Sequence, residues 1–203
     1  TLDEIMKLKS NAKVVILDAC YNGSFHDNEG YVAGCHVFGN GDCIVAQGNT
    51  VNVLQDKWED KLVGILSLGQ RVGMWQKNVP YLEGHMIGDP TYRFTPADKA
   101  QAKVAAKLHD DMIFNAGNAK VWKKYLQSEN PVLRAVGVTY LGYIGQKEGS
   151  DIALDVFEND PSWIVRMHAL HSLRQYADEN TRKATQTGIN DPYELVVRTC
   201  CHI

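Results

Sequence analysis

An arginine that recurs at a fixed spacing constrains the fold of this chain more than any other feature. The three arginines are Arg134, Arg166 and Arg198, separated by 32 residues each time. A proline that follows Asn or Asp precedes each arginine, at positions 131, 161 and 192. Proline suits the first turn of a helix, so each of these pairs predicts a helix start. The period predicts stacked units of two short helices, because one unit alone cannot bury its apolar face.

The period, the prolines and the arginines together resemble HEAT repeats over residues 116–203. This resemblance implies an all-α HEAT-like solenoid whose long concave face recruits protein substrates or partners. We expect the arginines to hydrogen-bond acidic partners between repeats, with a direct binding role as the alternative. Trp122 and Trp163 are expected to lie in the core. A solenoid ends in a polar capping unit. None is visible before Ile203, so we expect the repeats to continue past that residue.

The first 95 residues follow a different pattern, in which short apolar strands alternate with helical segments and many glycines. That order predicts an α/β fold, with a mostly parallel sheet and flanking helices. The predicted elements are helices over 2–9 and 53–72, strands over 13–18, 43–47 and 92–94, a long loop over 22–42 with room for one short element, and a closing turn over 86–90. Residues 96–115 are predicted to form a linker helix between this half and the repeats.

Cys20 lies two residues after the first predicted strand and precedes Asn22-Gly23, a pair that demands a tight turn. Open α/β sheets place ligands and chemistry at the carboxyl ends of their strands, which makes Cys20 a candidate nucleophile. A nucleophilic thiol needs a base, most often histidine, and backbone N–H groups that stabilise the oxyanion. His26 is a candidate base if its ring reaches the thiol. The alternative is that Cys20 is a small apolar core residue and His26 a solvated loop residue.

Residues 14–94 resemble the later part of a gingipain-type cysteine peptidase domain, related to caspases and legumains. The residues that carry the resemblance are Asp18-Ala19-Cys20-Tyr21-Asn22-Gly23-Ser24-Phe25, the strand 44–46 with the loop 49–52, and Ile87-Gly88-Asp89-Pro90. The resemblance implies a caspase-like fold and cysteine endopeptidase activity, with Cys20 as the nucleophile. It also implies that Asn49, Thr50, Val51 and Asn52 line the substrate pocket, with Trp58 nearby.

The general base of that family is a Gly-flanked histidine on the preceding strand, several tens of residues upstream. None of the 19 residues before Cys20 is a histidine. We therefore expect an upstream N-terminal segment of the same protein to supply the histidine, and the 203 residues alone to be inactive. The alternative is a non-catalytic scaffold, in which the peptidase-like half is degenerate and the repeats bind a protein partner.

Composition narrows the remaining function classes. The formal net charge of -3 gives no electrostatic reason to expect nucleic acid or an anionic membrane as partner. No apolar run approaches the roughly 18 residues that a membrane span requires. The five cysteines are Cys20, Cys35, Cys43, Cys200 and Cys201. Their spacing matches no structural zinc pattern, so we expect neither a metal nor a cofactor.

Two expectations depend on the cellular compartment. Cys35 and Cys43 are close enough in sequence to pair in an oxidising compartment, but the cysteine count alone does not decide the compartment. Gingipain-like enzymes are commonly bacterial and exported. The resemblance therefore implies a location in the bacterial envelope or outside the cell.

Overall fold

The chain divides into two compact units, Thr1–Ala106 and Lys107–Ile203. The computed structural model describes residues 1–26, 30–53, 61–79 and 81–201. The first unit contains a small mixed β-sheet with helices, and all the regular elements in the described part of the second unit are helices. The α4 helix, Lys99–Phe114, spans the boundary between the two units and lies within the predicted linker segment.

Besides the start of α4, the described part of the first unit contains three α-helices and three strands. The helices are α1 (Leu2–Lys7), α2 (Val32–Phe38) and α3 (Val72–Gln76), and the strands are β1 (Val14–Ile16), β2 (Val45–Asn49) and β3 (Gly84–Gly88). A short 3-10 helix spans Val63–Leu68. A capping box between Thr1 and Glu4 fixes the start of α1, because each residue satisfies a backbone N–H of the other.

The sheet has the order β1-β2-β3 and is mixed. The β1 and β2 strands are parallel, with Val15 opposite Ala46, and β2 and β3 are antiparallel, with Gln47 opposite Met86. The predicted mostly parallel sheet is therefore correct only for the first pair. The difference arises at residues 86–90, since the predicted turn is mostly strand β3, which satisfies its backbone by pairing with β2.

The core of the sheet lies under α2, which falls in the predicted loop segment that had room for one short element. Ala33, Cys43 and Ala46 are buried together, and the partly buried side chains of Val15 and Ile87 pack against them. These residues place α2 on one face of all three strands. The sequence allowed one short element here but did not identify it as a helix, because polar residues and glycines dominate the segment around it.

The predicted helix over 53–72 is interrupted. Residues 54–60 lie outside the described residues, and the 3-10 helix is bounded by Leu62 (φ 60°) and Gly69 (φ 80°). Both residues adopt the left-handed backbone conformation, which a continuous α-helix does not contain. The predicted strand over 92–94 is wrong, because these described residues have no strand structure.

The second unit is a two-layer array of helices. Its helices are α5 (Ala119–Tyr125), α6 (Pro131–Ile144), α7 (Lys147–Asn159), α8 (Trp163–Tyr176), α9 (Glu179–Gly188) and α10 (Glu194–Cys201). The α6, α8 and α10 helices pack in sequence along one layer, while α7 packs against α9 in the other. This arrangement agrees with the two-helix units that the 32-residue period predicted.

Close packing of α6 against α8 forms the centre of this array. A Cβ atom on Gly142 would lie 2.8 Å from the Ser172 Cβ, so only glycine permits the observed approach. The Ser172 hydroxyl donates to the Val138 carbonyl across the same contact at 2.9 Å. On the other side of α6, the Trp122 ring stacks on Tyr140 with a centroid distance of 4.1 Å. Trp122 is fully buried, as predicted.

The cysteines and the helix lengths bear on two sequence expectations. All five cysteines have free thiols, so the conditional pairing of Cys35 with Cys43 is not formed. Of these thiols, Cys20 and Cys201 are exposed. No helix within the described ranges combines the length and the apolar character needed to cross a bilayer.

Candidate functional site

Cys20 lies in an exposed turn a few residues beyond the carboxyl end of β1. Its thiol accepts a hydrogen bond from the Val53 backbone N–H at 3.3 Å, and its Sγ lies 3.6 Å from the Val53 carbonyl oxygen. The next residue, Tyr21, has a φ of 58° and donates its N–H to the Val51 carbonyl at 3.2 Å. The left-handed backbone at Tyr21 therefore turns the chain so that the thiol faces the loop after β2.

The Asn22 side chain fastens this turn to the end of β2. Its Oδ1 accepts from the Asn49 backbone N–H at 2.7 Å, and its Nδ2 donates to the Leu17 carbonyl at 3.0 Å. Gly23 donates its N–H to the Asn49 carbonyl at 2.9 Å. A Cβ on Gly23 would lie 2.6 Å from the Gly48 carbonyl carbon, so the two backbones meet only because residue 23 is glycine.

The structure brings all four predicted substrate-binding residues close to the Cys20 turn, but they differ in exposure. Asn49 is fully buried, and its amide donates to two backbone carbonyls leading into the turn at 3.3 and 3.4 Å. Thr50 is also buried, and its hydroxyl donates to the carbonyl of residue 83 at 3.2 Å. Val51 and Asn52 are exposed. The side chains of Asn49 and Thr50 therefore stabilise the backbone around the Cys20 turn. Val51 and Asn52 form the exposed rim of the candidate site.

His26 belongs to a group of aromatic rings centred on Phe25. The Phe25 ring packs edge-to-face against His26, His85 and Tyr31, at centroid distances of 5.8, 5.4 and 6.4 Å. No histidine in the described ranges hydrogen-bonds the Cys20 thiol. Trp58, the other predicted neighbour of the pocket, lies outside the described residues.

A second set of charged residues joins the helical repeats. Arg134 of α6 donates to Asp160 through Nε at 2.7 Å and Nη2 at 2.9 Å. Arg166 of α8 donates to Asp191 in the same two-point geometry, at 2.7 and 2.8 Å. All four side chains are at most 14% exposed. The predicted hydrogen bonds to acidic residues between repeats are confirmed for these two arginines.

Each aspartate of these pairs also orders the turn in which it lies. Asp160 accepts from the Ser162 backbone N–H at 2.8 Å, and Asp191 accepts from the Tyr193 N–H at 2.8 Å. In the first repeat, the hydroxyl of Ser128 accepts from the Asn130 N–H at 3.1 Å in the equivalent position. The residue that accepts this turn hydrogen bond is therefore an aspartate in the second and third repeats, Asp160 and Asp191, and a serine, Ser128, in the first.

Electrostatics in the Arg166–Asp191 pair favour the charged forms of both groups. Burial raises the pKa of Asp191, but the hydrogen bonds from Arg166 and the Tyr193 N–H outweigh it and lower the pKa overall. The hydrogen bond to Asp191 raises the pKa of Arg166. Since both groups stay ionised, the pair acts as a permanent link between α8 and the turn before α10.

Trp163 occupies a position that differs from the sequence expectation. Its ring stacks on Tyr193, with a centroid distance of 4.1 Å and an interplanar angle of 21°. Trp163 is 38% exposed, so the prediction that it belongs to the core is wrong. The nearby prolines mark the turn, but no sequence signal distinguishes an exposed aromatic residue there from a buried one.

One comparison with known proteins finds a match. Residues 119–200 match the protein family described as HEAT repeats. No curated protein and no solved structure matches the chain significantly. The matched residues do not include the Cys20 turn, so the resemblance to gingipain-type peptidases and the caspase-like fold remain predictions. The confirmed part of the resemblance is the C-terminal one: residues 119–200 form a HEAT-like helical repeat region.

Proposed function

We propose that this protein is an interaction scaffold whose HEAT-like region binds a protein partner. The observation that carries the proposal is the HEAT repeat match over residues 119–200, together with the two-layer stack of α6 to α10. Such arrays present extended surfaces, and binding protein partners is their common use. The non-catalytic scaffold that the sequence left as an alternative thus becomes the favoured function.

The surface of the repeats has properties that suit a protein partner. Large apolar side chains are exposed there, among them Tyr143 (46%), Trp163 (38%) and Leu195 (42%). Aromatic side chains are over-represented among residues that contribute most to protein binding. The buried Arg134–Asp160 and Arg166–Asp191 pairs hold neighbouring repeats in one geometry. A surface that is already ordered loses less entropy when it binds.

The scaffold function can be tested with a photo-crosslinking amino acid at exposed positions. We expect p-benzoylphenylalanine at Trp163 or Leu195 to capture a partner, and the same amino acid at Phe38 in the first unit not to do so. The captured protein is then purified and titrated into the whole chain by calorimetry. Trp163→Ala should weaken binding about tenfold or more. Equal capture at all three positions, or no binding between the purified proteins, would overturn the proposal.

A second candidate function is cysteine endopeptidase activity, and the Cys20 turn supports it. The thiol is exposed near the carboxyl end of β1 and faces the Val51 and Asn52 rim of the next loop. In this proposal a histidine from an upstream segment removes the thiol proton, and the thiolate attacks the scissile carbonyl. Backbone N–H groups stabilise the oxyanion. The protonated histidine then protonates the leaving amine, and water hydrolyses the thioester.

Peptide hydrolysis by a longer form of the protein, which includes the upstream segment, tests this candidate. We expect Cys20→Ala to abolish cleavage and Cys201→Ala, the other exposed cysteine, to leave it unchanged. The chain of 203 residues is expected to be inactive alone, because none of the 19 residues before Cys20 is the histidine that would act as the base. Cleavage that persists in Cys20→Ala would exclude Cys20 as the nucleophile.

A further inference from the structure

The exposed surface around the Cys20 thiol is largely apolar. Two segments form it, residues 20–25 after β1 and residues 49–53 from the end of β2. The Tyr21 N–H joins them by donating to the Val51 carbonyl at 3.2 Å. The large apolar side chains exposed in these segments are those of Tyr21 (55%), Phe25 (52%) and Val51 (44%). Apolar surface is therefore exposed on both of the segments that flank the thiol.

The polar side chains of the same two segments are mostly turned into the protein. Asn22, Ser24, Asn49 and Thr50 are buried. The Ser24 hydroxyl donates to the Thr50 carbonyl at 2.8 Å, and the Asn22 and Asn49 amides bond backbone groups of the turn. Asn52 is exposed, and its side chain is uncharged. Most of the hydrogen-bonding groups near the thiol are thus used within the protein, which leaves apolar side chains to meet a substrate.

Charge is also scarce at this surface, because neither segment contains a charged residue. The nearest carboxylates among the described residues are Asp18, two positions before Cys20, and Glu83, whose carbonyl accepts from the Thr50 N–H at 3.0 Å. Both side chains have interactions of their own within the protein. A charged substrate side chain would lose hydration here without gaining an ion pair. An apolar side chain is instead stabilised when its surface leaves water.

We propose that Tyr21, Phe25 and Val51 form a subsite for an apolar side chain of an extended peptide, beside the carbonyl that Cys20 attacks. The proposal rests on the second candidate function, cysteine endopeptidase activity, and names its substrate class. Tyr21 and Val51 approach the substrate side chain from opposite segments, and Phe25 extends the apolar surface. Peptides with leucine or phenylalanine at this position are therefore preferred over peptides with a charged residue there.

The test is selective alkylation of the thiols in the chain of 203 residues, which needs no histidine. The probes are the chloromethyl ketones of acetyl-leucine, acetyl-glycine and acetyl-lysine. The thiol sulfur displaces chloride, so a C–S bond forms, the C–Cl bond breaks and the thiol proton passes to the buffer. Mass spectrometry of proteolytic peptides measures the rate at Cys20 and at Cys201, the other exposed thiol, which corrects for the intrinsic reactivity of each probe. We expect the Cys20-to-Cys201 rate ratio to be about tenfold higher for the leucine probe than for the other two.

Three variants locate the preference. Tyr21→Asn removes the ring but keeps the turn, because asparagine tolerates the left-handed backbone that Tyr21 adopts at φ 58°. It should reduce the ratio for the leucine probe to that for the glycine probe. Val51→Ser should lower the same ratio and provides an independent variant if Tyr21→Asn does not fold. Phe38→Asn is the matched control, since it removes a 68% exposed ring of α2 outside the two segments, and it should change no ratio.

The outcomes separate the subsite from the peptidase function. Equal ratios for the leucine and lysine probes, or a leucine preference that persists in both Tyr21→Asn and Val51→Ser, would overturn the subsite. If the longer form of the protein cleaves leucine and lysine peptides equally and only when Cys20 is present, the peptidase function holds and the subsite fails. If alkylation is selective but the longer form shows no Cys20-dependent cleavage, the peptidase function fails and the apolar subsite remains.

Discussion

Arg134 and Asp160 form a two-point ion pair, at 2.7 and 2.9 Å, between α6 and the turn before α8. Arg166 repeats the arrangement with Asp191 one unit later. Arg134 also donates through Nη1 to the carbonyl oxygens of Ser128 and Glu129, at 2.9 and 3.0 Å. One guanidinium therefore fixes both the turn before its own helix and the turn of the next repeat.

We predict that Arg134→Ala lowers the free energy of unfolding by about 3 to 5 kcal/mol, because it leaves the buried Asp160 without its partner. Urea denaturation followed by circular dichroism measures this loss. Arg182→Ala is the matched control, since Arg182 pairs with Glu179 on the exposed surface of α9. We expect no measurable loss for the control. Equal effects of the two substitutions would contradict the structural role of the buried pair.

The pH dependence of stability should follow the buried aspartates. Burial raises the pKa of Asp111, but hydrogen bonds from Lys107, Tyr125 and Asn115 outweigh burial, so the pKa is lowered overall. The pKa of Asp191 is also lowered. A carboxyl whose pKa is lower in the folded state contributes stability that is fully present above its unfolded pKa. That contribution is lost as the pH falls through the folded value.

We therefore predict that the free energy of unfolding decreases as the pH is lowered from about 5. Asp111→Asn should be less stable than wild type at neutral pH, and its stability should depend less on pH in the acidic range. Asp110→Asn, at the exposed neighbouring position, serves as the control and should retain the wild-type pH profile. An unchanged acid profile in Asp111→Asn would exclude this carboxyl as a cause.

The close approach of α6 to α8 makes a specific prediction for glycine. Gly142→Ala should destabilise the protein by about 1 to 3 kcal/mol, because the new Cβ overlaps Ser172. Gly117→Ala is the control, since a Cβ at that position would meet no atom within 4 Å. Thermal unfolding of both variants checks the difference. A Gly142→Ala variant as stable as Gly117→Ala would show that the two helices can separate at no cost.

Thiol reactivity should divide the cysteines into two classes. Cys20 and Cys201 are exposed and should react rapidly with a disulfide reagent in the folded protein. Burial raises the pKa of Cys43 and raises that of Cys200 to about 11, so both should react slowly until the protein unfolds. Time-resolved absorbance with Cys20→Ala and Cys201→Ala assigns the fast thiols. Rapid reaction of three or more thiols in the folded protein would contradict this burial pattern.

The sequence predicted the repeats well because their geometry depends on local signals. Asn130-Pro131 predicts the start of α6, and Asn130 caps that helix by accepting from the Val132 N–H. The fixed spacing of Arg134 and Arg166 also predicted that each bonds an acidic residue of another repeat, although the sequence did not single out Asp160 or Asp191.

The first unit was less predictable because its structure depends on distant pairing. The strand β3 forms only because β2 lies opposite it, with Ala46 facing Ile87, and Gly88-Asp89-Pro90 made the segment look like a turn. For the candidate site, the sequence located Cys20 and the loop 49–52 but not the exposure of each side chain. Asn49 and Thr50 face inward because the Cys20 turn and residue 83 accept their hydrogen bonds. Those contacts join parts of the chain that are remote in sequence.

The hydroxyl of Ser128 makes the first repeat different from the two that follow. Ser128 orders its turn as Asp160 and Asp191 order theirs, but it has no negative charge that could form an ion pair with an arginine of another unit. A gene duplication that copied the Asp160 unit would insert a unit with both partners. Its aspartate would pair with an arginine of the preceding unit, and its arginine would pair with an aspartate of the following unit. A copy of the Ser128 unit placed in the middle would leave a buried guanidinium unmatched. The array can therefore grow by copying some of its modules but not others.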